Sequence, residues 1–314
     1  MSGYNKIINR KNLVAISPII LAIVLSMLGF NLVDSLPHLP VEDVGEGLIS
    51  WMDDRLEVVF DLLTLIIETL LGLVSSMLIG LPAVVVIAAF ISLGYVLSGW
   101  RLSAFILTGY LFIAMMGYWE DAMMTLSLVV AATVVSLIAG IPLGVLKTHS
   151  QMIEVALDPV LDFMQTMPMF VYLIPSVFFF GIGDVPGIIS TFIFATPPAV
   201  RLTALGIKQI PAEILEAGKA FGASRLQSLF KIELPLAMPS IMLGVNQTIM
   251  LSLSMVVVGS MIGAAGLGEV VLRGITRLQV GEGIAAGLGI VLIAMILDKI
   301  TKSVVSNNGA TQQV

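Results

Sequence analysis

The residues best suited to chemistry gather in one polar stretch, EILEAGKAFGASRLQSLFKIELPLAMP, from Glu213 to Pro239. Glu213, Glu216 and Glu233 stand against Lys219, Arg225 and Lys231, so the stretch carries no net charge. Neutralising nucleic-acid phosphates needs a surplus of cations, which sets aside a DNA-reading pair of helices. Ile214, Leu215, Phe221, Leu226, Leu229 and Phe230 supply an apolar face too large for a free loop. Two uses fit such a face: packing on the chain's own helix ends, or docking against a separate protein.

Other chemistries are excluded by what the sequence lacks. There is no cysteine, hence no disulfide or thiolate chemistry. His38 and His149 lie far apart, without ligand-like neighbours, and read as loop histidines. No G-x-x-x-x-G-K-[ST] phosphate loop occurs; the glycine-rich run Gly263 to Gly268 lacks the lysine and reads as a turn. No Ser/Lys, Asp/Asp or metal-ligand constellation falls inside an apolar segment. No catalytic residue, metal ligand or cofactor site is therefore expected.

A second group of polar residues sits within apolar sequence. Asn246, Gln247, Thr248, Ser252 and Ser254 interrupt AMPSIMLGVNQTIMLSLSMVVVGSMI. Thr248 and Ser252 share a helix face, and Gln247 and Ser254 lie one heptad apart on an adjoining one. Further upstream come Gln165, Phe170 and Tyr172, near Asp162, Thr166, Phe163 and Phe178 to Phe180, whose aromatic rings could face a cation or simply pack in the core or against lipid. Polar side chains at membrane depth face a helix bundle or a wet path. Interhelical hydrogen bonding and a path lining both remain open for these residues. Gly140 and Gly144 form a small-xxx-small pair suited to helix packing.

The elements that must position these residues follow from hydropathy. The 314 residues are 58% hydrophobic and only 11% charged. Uncharged runs of the order of 20 residues, the length that spans a bilayer core, recur along the chain. The fold class is all-α, a polytopic helical membrane protein with about eight transmembrane helices. The first, LVAISPIILAIVLSMLGF, reads as an anchor rather than a cleaved signal peptide. The next is placed at about 81–99, after a break at Gly80 to Pro82, and a later one over Phe163 to Gly183. Upstream of that break, Asp54, Glu57, Asp61 and Glu68 mark one stripe of an amphipathic helix expected on the outer interface. Lys6, Arg10 and Lys11 place the N-terminus in the cytoplasm. With alternation, every basic residue except Arg55, Arg273 and Arg277 falls on that side, as does the C-terminus. The Glu213–Pro239 stretch then lies in the cytoplasm between the sixth and seventh spans.

Local signals shape that stretch into a hairpin. Pro211 suits the first helical position. Gly222 suits the left-handed position that ends a helix. Ser224 to Gln227, SRLQ, fits a capping box that starts another.

The hairpin resembles the EAA loop of ABC importer permeases. Glu216, Ala217, Gly222, Ile232, Leu234 and Pro235 stand at that motif's spacing, with Gly218 in the place of its second alanine. LDFMQTMPMFVYLIPSVFFFGIGDVPG, FATPPAVRLTALGIKQIP and LPLAMPSIMLGVNQTIMLSLSMVVVGSMIGAAGLGE resemble the glycine betaine/proline betaine subfamily, and the likeness covers roughly residues 100–302. The resemblance implies a type I, MetI-like permease core over 81–302 with its coupling hairpin at 211–235. Residues 1–80 would form the anchor and acidic external segment, and 303–314 a polar tail. It further implies a bacterial inner-membrane subunit, working as a homodimer in lipid, whose EAA loops are gripped by a separate ATPase dimer. ATP and magnesium would bind on that ATPase, and a separate binding protein would deliver the cargo. No nucleic-acid partner is implied. A secondary transporter or channel for small osmolytes is the alternative; a coupled carrier would show inward-facing acids or a matching internal repeat, and neither is evident.

Overall fold

A computed structural model describes residues 40–310, and Pro18 before them; the expected first span lies outside the described residues. Everything described that is regular is helical. The chain divides into two compact units at Asp54/Arg55. The described part of the first, residues 40–54, is the start of α1 (Val41–Leu78). α1 is one helix of 38 residues, longer than the amphipathic element expected. It does not lie wholly at a surface: Ile67 and Leu71 enter the main core of the second unit. Glu57, Asp61 and Glu68 remain exposed along it.

The break expected near Gly80 is present, and α2 (Ala83–Ser98) begins right after Pro82. α2 and α3 (Trp100–Met115) are apolar helices of 16 residues each, folded back at Gly99, whose φ of +73° a side chain would strain. α4 (Trp119–His149) follows. Five described helices are long and apolar enough to cross a bilayer: most of α1, α4, α7 (Asp184–Lys208), the segment leading into and through α10 (Leu234–Gly259), and α12 (Val280–Ala310).

One expected crossing is not continuous. Residues 163–183 do not form one straight helix. α5 (Gln151–Thr166) and the segment Met169–Phe180, a 3-10 turn followed by α6 (Leu173–Phe180), meet at 109°. Pro168 is the cause. It bars the residue before it from helical geometry, and Met167 is extended at φ −65°, ψ 136°. Hydropathy runs smoothly through this corner, so only the proline marked it.

α4, α7 and α10 form the interior of the second unit, and glycines set their spacing. A Cβ on Gly140 would lie 2.7 Å from Ala199 Cβ, and one on Gly144 2.6 Å from Thr203 Cβ. A Cβ on Gly206 would lie 2.8 Å from Ser240 Cβ, and Gly244 approaches Leu202 and the Pro198 carbonyl. These approaches place α7 parallel to α4 and antiparallel to α10. α7 is accordingly buried along most of its length. Without an exposed-to-water state to leave, helices in lipid gain mainly by such close packing.

Charged groups mark the two ends of this interior. At one end Ala265 N–H donates to Asp184 Oδ1 (2.8 Å), Leu267 N–H to Thr125 Oγ1 (2.8 Å), and Arg273 pairs with Glu269 in α11 (Leu267–Thr276). At the other end α5 lies against the tips of α4 and α7. Its Glu154, Asp158 and Asp162 pair with Lys208, Lys147 and Arg201 respectively.

Candidate functional site: the coupling hairpin and the polar seam

The hairpin forms between α7 and α10. Pro211 caps α8 (Ala212–Ala220) from just outside rather than occupying its first turn. At the far end Gly222 N–H donates to Lys219 O (2.9 Å) and Ala223 N–H to Gly218 O (3.0 Å). This pair of bonds, with φ +80° at Gly222, closes the helix in a Schellman motif. Ser224 then begins α9 (Arg225–Ser228). Its hydroxyl accepts from Gln227 N–H (3.3 Å), and Gln227 Oε1 accepts from Ser224 N–H (2.8 Å), the capping box expected.

Gly218 explains its own presence. A Cβ there would lie 2.6 Å from Ile232 Cδ1. The missing methyl lets the returning arm of the hairpin close on α8, so Gly218 and Ile232 are brought together although 14 positions apart (232 − 218).

The return arm carries a feature that spacing did not reveal. Leu229–Glu233 is a π turn in which Leu234 N–H reaches back to Leu229 O. Pro235 has no N–H and would crowd the carbonyl four residues earlier in an α-helix, so a widened turn suits the residues before it. Within this turn Glu233 is buried, 7% exposed. Its Oε1 accepts from Ser228 Oγ (3.0 Å), and its Oε2 lies 3.3 Å from Nε2 of His149, the last residue of α4. Glu233 therefore ties the base of the hairpin to α4, and His149 is more than a loop residue. The sequence signal was faint: one acid at the edge of an apolar run.

The hairpin's apolar side chains point away from this base. Phe221 is 93% exposed, and Leu226, Phe230 and Ile214 are also exposed; no residue of α8 is buried. Leu215 and Leu229 are half-buried and Ile214 borders a cleft with Gly206, Leu236 and Pro239 at the helix ends, so only Phe221, Leu226 and Phe230 are left largely uncovered for a second use. Glu216 and Ala217 lie on the exposed α8.

The candidate path residues separate into two sets. On α10, Thr248 and Ser252 are fully buried, and neither hydroxyl has a hydrogen-bond partner. Thr133 and Ser136 on α4, Ser176 on α6 and Thr203 on α7 are also buried, with hydroxyls that have no hydrogen-bond partner. By the glycine-set register, Ser136, Thr248 and Ser252 flank the middle of α7, forming a polar seam in the interior. Gln247 and Ser254 face outward, Ser254 donating to Met250 O, and Asn246 donates to Asp298 Oδ1 on α12 (3.2 Å). Gln165 and Phe170 are exposed on opposite sides of the 109° corner. Tyr172 is buried; its hydroxyl donates to Met164 O across that corner, and its ring packs on Phe194 (6.1 Å between centroids). The elbow clamp accounts for Tyr172. Tyr172 shares a small core cluster with Met255 of α10, next to Ser254, whereas Gln165 and Phe170 stay exposed.

Among the described residues, long apolar helices with a capped, exposed hairpin between two of them have the form of a membrane transport subunit. Residues 136–307 match the family described as binding-protein-dependent transport system inner membrane component, and the chain belongs to that family. It is 41% identical to the glycine betaine transport system permease protein OpuAB of Bacillus subtilis (strain 168), over 86% of this chain and 96% of that protein. It is 45% identical to the glycine betaine/proline betaine transport system permease protein ProW of Escherichia coli (strain K12), over 88% of this chain and 78% of that one. Its fold is shared with a solved inward-facing structure of the MetNI methionine ABC transporter, with TM-score 0.54 and 20% identity, over 59% of this chain and 93% of that chain.

Proposed function

We propose that this chain is the membrane-spanning subunit of an ABC importer for glycine betaine, proline betaine or a related onium compatible solute. Two copies form the translocation path in the inner membrane, and each presents its hairpin to a cytoplasmic ATPase. A separate binding protein delivers cargo at the opposite face. Both termini face the cytoplasm, with about eight crossings per copy.

The observation that carries this reading is the hairpin itself. Its corner is fixed by a Schellman motif and a capping box, its base is tied to α4 through Glu233, and beyond that base it exposes Phe221, Leu226 and Phe230. A rigid apolar knob on a membrane protein suits a groove on a soluble partner. Closure of the ATPase pair on ATP would push both knobs, and α10 and α4 would carry that displacement into the membrane. Thr248, Ser252, Ser136 and Thr133, buried inside each copy, would meet a cargo only as α4, α7 and α10 part, and would then hold it weakly enough to leave.

The test is ATP-dependent uptake of labelled glycine betaine into proteoliposomes containing the chain, its ATPase and its binding protein. Competition with proline betaine, choline, carnitine, trimethylamine N-oxide and dimethylsulfoniopropionate orders the cargo candidates. Uptake that proceeds at full rate without ATP or without the ATPase would remove the importer reading.

A further inference from the structure

We propose that the corner between α2 and α3, together with the late part of α12, forms a binding site for the phosphodiester headgroup of an anionic membrane lipid. An open cavity of about 380 Å³ lies there, lined by Leu97, Ser98, Arg101, Leu102, Phe105, Lys299, Lys302 and Ser303. Its lining holds three cations, Arg101, Lys299 and Lys302, and no carboxylate. In a chain with net charge −6, such a local surplus is against the overall balance.

The partners of these cations leave the surplus in place. Among the described residues Arg101 and Lys299 make no ion pair. Arg101 lies 5.9 Å over the ring of Trp100, and Lys299 Nζ lies 5.0 Å from the centre of the Phe105 ring. Lys302 pairs with Asp298 Oδ2 (2.7 Å), but that carboxylate also accepts from Asn246 and is not part of the cavity lining. Outside the described residues the sequence offers only one acidic side chain, Asp34.

The cavity's position and its apolar half select the ligand. α2 and α3 are each apolar and 16 residues long, so the corner between them belongs at a face of the bilayer. Trp100, 69% exposed at this corner, is the residue type that settles at headgroup depth. Leu97, Leu102 and Phe105 offer a surface for the first carbons of an acyl chain beneath the charged groups. Ser98 and Ser303 add hydroxyl donors. Free inorganic phosphate would satisfy the cations and leave that apolar half uncovered; a phospholipid covers both. Basic pockets between membrane helices are a known physical solution for holding anionic headgroups.

Native mass spectrometry of the detergent-purified full chain, titrated with dioleoyl phosphatidylglycerol, tests this. Dioleoyl phosphatidylcholine, with the same chains, and inorganic phosphate are the comparison ligands. Phosphatidylglycerol should bind one site about tenfold tighter than phosphatidylcholine. The combined Arg101→Gln and Lys299→Gln change should erase that preference while leaving the melting temperature unchanged. Lys299→Arg should keep it, as should Arg277→Gln on the opposite end of the interior. Equal binding of the two lipids overturns the proposal, as does an unaltered preference in the double variant. Saturation by inorganic phosphate with no lipid preference overturns it too.

Discussion

Replacing Gly222 isolates what the hairpin corner contributes. Gly222 has φ +80°, and nothing lies within 4 Å of where a Cβ would stand. A side chain there meets no neighbour, so its cost is backbone strain alone. For an ordinary L-residue that strain is about 1 to 2 kcal/mol, or about five- to thirtyfold in an equilibrium. If the ATPase grips only the closed corner, Gly222→Ala should weaken ATPase association by up to that factor. Gly222→Val should do more, because β-branched residues tolerate positive φ least. Gly222→Asn should do little, since Asn adopts this conformation readily. Gly222→Asp matches Asn in shape but adds a charge, and should abolish uptake while the protein still inserts. Its loss beyond that of Asn would report the partner's surface rather than strain. The assay is the affinity of the solubilised chain for its ATPase, with uptake measured in parallel. An affinity order that ignores conformational preference, with Asn as poor as Val or Ala equal to glycine, would refute the strain argument.

Glu216→Lys should abolish uptake at normal membrane expression; undiminished uptake would remove Glu216 from the docking surface. Glu233→Ala frees Ser228 and His149, and loss of a charged hydrogen bond should cost about 1.5 to 3 kcal/mol locally. Hydrogen exchange over residues 225–235 should accelerate, with Glu233→Gln intermediate. Gly144→Ala forces a methyl to 2.6 Å from Thr203 Cβ and 2.7 Å from the Val200 carbonyl. Such overpacking should cost about 1 to 3 kcal/mol and lower the melting temperature of the purified chain, whereas Gly287→Ala, with open space around it, should not. Thr248→Val removes a buried hydroxyl that has no partner; thermal stability should hold or rise by about 1 kcal/mol, and a marked fall would mean that the hydroxyl is satisfied.

The hairpin was legible because its shape is decided locally. Gly222, Ser224 and Gln227 bond to groups within five positions, so residue type and spacing suffice to place them. The ion pairs of α5 were harder. Glu154, Asp158 and Asp162 recur at i, i+4 and i+8, a visible acidic stripe, but Lys208 and Arg201 lie 54 and 39 positions away from their partners. Nothing in a stripe says which cations it will meet. The crossing expected over 163–183 is bent rather than straight for a different reason. Mean apolarity measures what lipid tolerates, whereas the corner at Met167 is set by one proline ring. Thr248 and Ser252 were correctly paired on a face, since helical period governs both. Which face is interior depended on α7, and so on glycines in three helices at once.

The π turn at the foot of the hairpin gives the protein one lever with two outputs. A force on Phe221 passes through Leu229–Glu233 into α10 along the chain, and through the Glu233 carboxylate into the tip of α4 without any covalent path. Because α7 is wedged between those two helices, pulling both at once would shear its two packed faces in step rather than prise one loose.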